Sequence, residues 1–435
     1  MHEFPRKTVP IAGWIAWGVV SLFYLYEFLI RVAPSVMEPE LQKSFHLSAA
    51  GLGASLAAYF YIYAPLQLLV GGFLDEWGTK RVLVPAIVLC LLGCFLEAYG
   101  TSPSLLVAAR LLQGSGSAFA FVGALHTAAQ WFPRQQLAMI AGLTTGLGML
   151  GAIAGNAVVA EFVSAVGWKT SLKAAGLFGV LVAAAVFFLL PKRREPTHSD
   201  LERDGSPIAR ILGHLRVVVT NPQVWILGLI ASCLYVSLSV FGGLWGVPYI
   251  QAATGVSVVD ASQVISALYV GWLIGGPIFG RVSDRLGHRK PMLVGSLTMT
   301  VLSTLLLVIA PPSGTVGMIA LLFFIGLSSS LQSLAFAAGL EVTSARAAAT
   351  SVAVINMSTM VISGLLQPLV GMLLDQSAGS SGAIQSADFS EADFRFAMIV
   401  LPVTAFTGLI ASFFLRETYQ GQTVVEERTV IAEQI

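Results

Sequence analysis

Long apolar runs, separated by short polar clusters, set the pattern of this chain. Twelve runs approach or exceed the roughly 20 apolar residues that a bilayer-spanning helix needs: 11–37, 47–74, 81–99, 104–131, 137–163, 171–190, 223–250, 260–280, 291–310, 315–341, 347–373 and 395–415. Most connections are a few residues long. The exception is 191–221, which opens on Pro191-Lys192-Arg193-Arg194-Glu195 and continues through Asp200, Glu202, Arg203 and Asp204. It divides the chain into bundles at 1–190 and 222–418, with a polar tail at 419–435. Within the linker, Ile208 to Val219 has the pattern of a short amphipathic helix lying on the membrane surface. A second long connection, Gln376 to Phe394, is rich in Ser, Gly and Ala and reads as a flexible loop.

Two of the short polar clusters are copies of one another. The first is Gly71-Gly72-Phe73-Leu74-Asp75-Glu76-Trp77-Gly78-Thr79-Lys80-Arg81; the second is Gly280-Arg281-Val282-Ser283-Asp284-Arg285-Leu286-Gly287-His288-Arg289-Lys290. In each, an Asp is followed three residues later by Gly and then by paired cations, and the two Asp lie 209 residues apart. Such copies half a chain apart mark an internal duplication. They resemble the loops after the second and eighth helices of major facilitator superfamily transporters. That resemblance implies an all-α integral membrane protein: twelve transmembrane helices in two pseudo-symmetric six-helix bundles, with helices 1, 4, 7 and 10 lining a cavity. It also implies a conformational latch at Gly71, Asp75, Gly78, Lys80, Arg81, Gly280, Asp284, Arg285, Gly287 and Arg289, gripping neighbouring helices in the outward-open state. Glu76 departs from the family pattern, which has a cation there; the second copy keeps Arg285.

Composition agrees with a membrane protein. Of 435 residues, 56% are hydrophobic and 11% charged, against roughly 25% charged in soluble chains; mean hydropathy is +0.80. A net charge of +1 gives no support for a nucleic-acid partner. Cys90, Cys94 and Cys233 all lie in apolar runs, which reads as packing rather than a disulfide framework. The first run follows Arg6 and Lys7 but contains Glu27 and Arg31 and is too long for a signal-peptide core. With both termini placed inside, the inner segments hold eighteen of the 24 Lys and Arg, the outer side holds Lys43, Lys169, Lys173 and Arg395, and Arg31 and Arg110 lie within helices. This asymmetry predicts cytoplasmic termini; a bacterial inner membrane is what the resemblances to bacterial carriers given below imply.

Ionisable residues inside a membrane face a cavity or a partner, because exposing them to lipid costs roughly 2.5–3.5 kcal/mol on insertion scales. In the first span Tyr24, Glu27 and Arg31 share a helix face. In the fourth, Arg110-Leu111-Leu112-Gln113-Gly114-Ser115-Gly116-Ser117-Ala118 matches the superfamily's Arg-x-x-Gln-Gly-x-Gly-x-Ala motif. At about 1.5 Å rise per residue, Arg31 and Arg110 lie at similar depth. Two cations against Glu27 leave one positive charge that a carboxylate or phosphate on a substrate could neutralise; for a carboxylate, Arg110 is the expected anchor with Arg31 assisting. The alternative is that Glu27 bridges both arginines as a brace between helices 1 and 4. The duplicate run Leu322-Phe323-Phe324-Ile325-Gly326 keeps the Gly but has Leu322 and Ile325 in place of Arg110 and Gln113, which favours a functional Arg110.

The second half offers neutral groups. Tyr235, Tyr269, Gln332 and Asn356 are candidate substrate contacts beside Tyr24 and Gln113; Trp272, Ser328 to Ser330 and Gln367 have similar chemistry. Trp245 and Tyr249 read as interfacial belt residues, Glu341 as structural, and Glu97, Glu161 and Asp375 as solvated near outer helix ends. Glu27 is the first candidate for a proton-coupling group and His126 the second. The Gly-rich fifth span lacks the Gly-Pro pair of the superfamily's antiporters, having Gly155-Asn156 instead. The Asn356-Met357 and Leu366-Gln367-Pro368 runs resemble helix 11 of bacterial small-nutrient carriers, and Tyr26 to Ser35 resembles the first helix of phagosomal nutrient transporters. These resemblances imply proton-coupled import of a small carboxylate-bearing solute (amino acid, short peptide or organic acid) by a monomeric carrier with no cofactor. The competing expectation is a proton-antiport exporter of amphipathic compounds such as siderophores or drugs. No nucleotide loop, metal cluster or nucleophile–base pair suggests an enzyme.

Overall fold

A computed structural model describes residues 9–133, 136–191, 215–344, 347–379 and 389–418, apart from the side chain of residue 138. Among the described residues, twelve helices are long and apolar enough to cross a membrane: α1 Ile11–Val36, α2 Ala49–Leu66, α3 Thr79–Tyr99, α4 Pro103–Trp131, α5 Met139–Val166, α6 Trp168–Leu189, α7 Pro222–Thr254, α8 Val258–Leu286, α9 Lys290–Ile309, α10 Thr315–Glu341, α11 Ala348–Ala378 and α12 Glu391–Phe413. All twelve expected spans are present. An even number of crossings returns the described ends, near residues 9 and 418, to the face where residues 191 and 215 also lie. We call this the linker face and the opposite one the far face.

Several boundaries differ from expectation, for local reasons. The duplicated clusters are mostly helix rather than loop. Val70–Trp77 is a separate helix that carries Gly71 and Asp75, and α8 runs unbroken through Gly280, Asp284 and Arg285. The turns are single glycines with positive φ, Gly78 at 78° and Gly287 at 66°, a region that costs other residues energy. The expected loop from Gln376 is shorter, because α11 continues to Ala378 and a Ser390–Asp393 capping box starts α12 at Glu391. Of the expected surface helix, 208–214 lie outside the described residues and 215–219 are helical. The tail beyond 418 and most of the linker also lie outside them.

The duplication is built on backbone contact. A Cβ on Gly114 of α4 would come within 2.3 Å of the Tyr59 carbonyl oxygen on α2, and one on Gly326 of α10 within 1.9 Å of the Leu268 carbonyl on α8. Gly114 and Gly326 are 212 residues apart, Tyr59 and Leu268 209. Each half therefore presses the same glycine against the same neighbour, the small-residue packing that brings membrane helices together. The α4 and α10 helices also break at matching places, 118–119 and 330–331. Between α1 and α5, Gly151 and Gly155 admit the Leu25 and Leu29 carbonyls in the same way.

The halves meet from the far face to the middle of the bundle. The Asp375 carboxylate on α11 accepts from the backbone N–H groups of Ala49 (3.0 Å) and Ala50 (2.9 Å), capping α2 of the other half. An acid at a helix N-terminus answers unpaired donors and the helix dipole, so Asp375 is engaged rather than solvated as expected. Deeper in, the Tyr61 hydroxyl donates to the Gly364 carbonyl at 2.8 Å. That carbonyl lies four residues before Pro368, which has no N–H to give it. Trp245 and Tyr249, expected at the membrane interface, are fully buried; their polar atoms donate to the Gln367 and Leu307 carbonyls.

Adding a methyl at the duplicated contact overpacks it, at a typical cost of about 1–3 kcal/mol. Gly326→Ala and Gly114→Ala should both melt below wild type in detergent, whereas Gly276→Ala, with open space around its Cβ position, should melt at or above it. A Gly326→Ala protein as stable as Gly276→Ala would show that the close approach is not needed.

Candidate functional site

Arg31 sits on α1 one helical turn beyond Glu27, where the helix tightens into the 3-10 segment Ala33–Val36 at Pro34. It is 6% exposed and Glu27 is fully buried. Arg31 Nη2 donates to Glu27 Oε1 in a direct ion pair, Nε donates to the Tyr59 hydroxyl at 3.1 Å, and Nη1 donates to the Tyr235 hydroxyl, on α7 of the other half, at 2.7 Å. The Tyr59 hydroxyl in turn donates to Glu27 Oε1 at 2.5 Å. The rings of Phe28, Tyr59 and Tyr63 stand 4.4, 5.4 and 5.2 Å from the guanidinium carbon, close enough for cation–π attraction.

Arg31 lines a narrow cavity between the halves, together with Phe28, Phe60, Tyr235, Ser239, Tyr269 and Gln367, among others. On its C-terminal side the α7 helix widens into π geometry over Ser237–Trp245, a form often found at functional sites. Ser239 and Gly243 reach the cavity from this segment. Across from it, Asn156 of α5 lies in a second π segment, Ala154–Val158. The Ser35 hydroxyl donates to its side-chain oxygen at 2.6 Å, and its amide donates back to the Ala152 carbonyl.

Arg110 occupies a different position from the one expected. It is not among the residues lining this cavity. Its guanidinium carbon lies 5.0 Å from the Tyr59 ring that Arg31 also faces. Arg110 Nη1 donates to Gln113 Oε1 at 2.5 Å and to the Ile30 carbonyl at 3.4 Å, and Gln113 Nε2 donates to Glu97 Oε2 at 2.9 Å. Glu97, expected at a solvated helix end, is fully buried. The short turn between α3 and α4 brings it beside Arg110. The expected surplus of one positive charge is therefore absent: Glu27 balances Arg31, and Glu97 balances Arg110. Nor does Glu27 brace both arginines, since among the described contacts it pairs with Arg31 and Arg110 reaches Glu97 through Gln113.

The remaining sequence candidates disperse. Tyr269 lines the cavity beside Tyr235. Tyr24 packs edge-on to Phe28 and tilted against Phe121, at 5.1 and 5.2 Å. Gln332 donates to the Ala231 carbonyl, and Asn356 donates across the halves to Gln67 Oε1 at 3.1 Å. His126 lies toward the linker face, with Nε2 2.8 Å from the Gln130 amide and Nδ1 3.6 Å from Asp75 Oδ1. In the second latch copy, Arg289 donates to Asp284 at 2.7 Å and Glu341 at 3.1 Å, and its backbone N–H donates to Glu417. Burial opposes the charge of Arg289, but the hydrogen bonds to Glu341 and Asp284 hold its pKa above the ordinary guanidinium value. Tyr59 and Tyr63 escaped the sequence reading, although their i, i+4 spacing on an apolar span signalled a shared aromatic face.

The family model described as "Major Facilitator Superfamily" matches residues 16–368 and 233–430. The chain is 26% identical over 324 residues to the "Probable sulfoacetate transporter SauU" of Cupriavidus necator, covering 72% of this chain and 75% of that protein. It is 26% identical to the "Membrane sensor protein UhpC" of Salmonella typhimurium, covering 67% of each. Among solved structures, a bacterial homologue of the human lysosomal transporter Spinster superposes with a TM-score of 0.73 at 15% identity, over 94% of this chain and 98% of that one.

Removing one member of a buried charge pair typically costs about 3–5 kcal/mol, because the other is left uncompensated. Arg110→Gln should therefore lower the melting temperature sharply, and adding Glu97→Gln to it should restore part of the loss. A double variant no more stable than Arg110→Gln would mean that Glu97 does not balance Arg110.

Proposed function

The chain belongs to the Major Facilitator Superfamily, and from that premise we propose that it imports a small organic acid together with a proton, the acid's carboxylate docking on Arg31. One observation carries this reading: Arg31 is the charged side chain that lines the cavity, and one of its donors is spent on a neutral hydroxyl, Tyr235, in the opposite half. A carboxylate is a better acceptor than a phenol and fits the planar fork of a guanidinium. A small acid is also what the relative from Cupriavidus necator is named for. Arg110, held by Gln113 and Glu97, is assigned a positioning role behind Tyr59.

Proton coupling follows from charge balance in a buried site. When a solute carboxylate takes Arg31, Glu27 loses its counter-ion while remaining out of water. A buried carboxylate without a partner is costly, and taking up a proton removes that cost. Solute anion and proton therefore bind together, and a monoanion crosses without net charge. The expected surplus cation is not required.

In the state seen here the far face is shut by Asp375, Tyr61 and the Arg31–Tyr235 bond. We assign the linker face to the cytoplasm from its excess of cations, which makes this state closed to the outside. The Asp75 and Asp284 motifs then serve as the latch of the opposite state.

Two tests address this reading. A thermal-shift panel of organic acids, amino acids and dipeptides on purified protein should find acids that stabilise it, since a ligand that binds the folded state raises its melting point. Arg31→Gln and Arg31→Lys should each weaken that binding by roughly 10- to 150-fold, the equivalent of a lost charge-assisted hydrogen bond at about 1.5–3 kcal/mol. An Arg31→Gln protein that answers the panel as wild type does would exclude docking at Arg31. In proteoliposomes, Glu27→Gln should abolish accumulation driven by a pH gradient yet keep exchange of solute for solute. Continued accumulation by Glu27→Gln would place coupling elsewhere.

A further inference from the structure

On the neutral side of the same cavity lies Gln367 of α11, 4% exposed. Its neighbours fix which way the amide faces. Gln367 Nε2 donates to the Ser239 backbone carbonyl at 2.9 Å. A carbonyl only accepts, so that end must be the nitrogen. The residue is held in place on both sides. Trp245 Nε1 donates to the Gln367 carbonyl at 3.2 Å, and one turn earlier the Ser363 hydroxyl meets that of Ser239 at 2.7 Å. Gln367 Oε1 is thereby fixed as an acceptor, and it is buried with no donor among the described residues.

An unpaired buried oxygen is costly unless something else supplies the donor. Leu at 367 would avoid that cost. Among the described residues no contact uses the oxygen; the nitrogen makes the contact with α7. We propose that Gln367 Oε1 reads a hydroxyl or amino group on the transported acid, so that the carrier selects acids bearing a hydrogen-bond donor over the same acids without one. The proposal rests on the docking of the carboxylate at Arg31. Arg31 and Gln367 then form the two poles of the site, one in each half, and a solute that satisfies both draws the halves together around it.

The test uses the full-length protein in detergent. Propionate is compared with lactate, 3-hydroxypropionate and 3-aminopropionate, and succinate with malate; affinities come from calorimetry. In wild type, at least one donor-bearing acid should bind about ten- to a hundredfold more tightly than its parent, the range expected when a site's acceptor is left unpaired. Gln367→Met should bring that ratio close to one by weakening the donor-bearing acid far more than its parent. Wild type binding every member of each set equally well overturns the proposal, a result that needs no variant to fold. So does a folded Gln367→Met protein that keeps the preference. Arg31→Gln separates the two readings. If acids bind through Arg31 without donor preference, only the assignment of Gln367 fails; if no acid binds, both fail.

Discussion

A guanidinium buried between two helix bundles must have its donors answered from both, and this constraint organises the centre of the molecule. Glu27 and Tyr59 hold Arg31 within the first half; Tyr235 holds it to the second. The ion pair within the first half is short-range and local, because Glu27 and Arg31 are one helical turn apart. In the contact to Tyr235 only the guanidinium is charged, so it is weaker than the ion pair with Glu27, in which both partners are. That inequality suits a moving part. A bond between halves that was as strong as the bond within one would lock the cavity, whereas a hydroxyl can be displaced by a better acceptor.

Around this centre the halves are fitted by close backbone approach and by side chains that answer open backbone groups. Gly53 lets α2 approach the Gln367 and Pro368 backbone, and Gly371 lets α11 approach Ala49 and Ala50. Pro368 leaves the Gly364 carbonyl without its helical donor, and Tyr61 supplies one from the other bundle. Asp375 does the same in reverse for the open N–H groups at the start of α2. Both of these interruptions of a helix's own hydrogen bonding are completed across the interface. The far-face closure is specific because the unpaired groups are few and fixed in position, and it is reversible because it rests on a few hydrogen bonds, each of modest net worth.

The spans and the duplication were legible in the sequence because both are carried by properties a single residue reports: apolar length, a turn glycine, an Asp before paired cations. The Glu27–Arg31 pair was legible because it is local. What escaped were contacts whose meaning lies in another helix. Glu97 is two residues from the end of its expected span, where a carboxylate is ordinarily wet; only the return of α4 alongside α3 buries it against Gln113. Trp245 and Tyr249 have the composition of interface residues, and only the packing of α7 in the centre of its half removes them from lipid. Asp375 looks like a helix-end acid, and it is one, but the helix it caps belongs to the other half of the chain. Arg110 was placed at the right depth and on the right helix, but its charge partner was not visible.

The duplication also separates what the fold requires from what has been added to it. Gly114 and Gly326 are both kept, each against the carbonyl of the matching neighbour, so that contact belongs to the architecture. Arg110 and Gln113 have become Leu322 and Ile325, and Tyr59 has become Leu268. The first half thus carries two buried acid–base pairs around one tyrosine ring, while the second meets the cavity with hydroxyls, an amide and aromatic rings. Buried charges are expensive and do little for stability that apolar packing of equal volume cannot do. Around the cavity, the placing of these pairs in the first half agrees with the proposal that the first bundle holds the charged end of the solute while the second responds to its neutral part. On the proposed import the charged pairs stay within the first bundle, while the Tyr235 hydroxyl and the hydrogen bonds of α2 with α11 are among the contacts to be broken and remade.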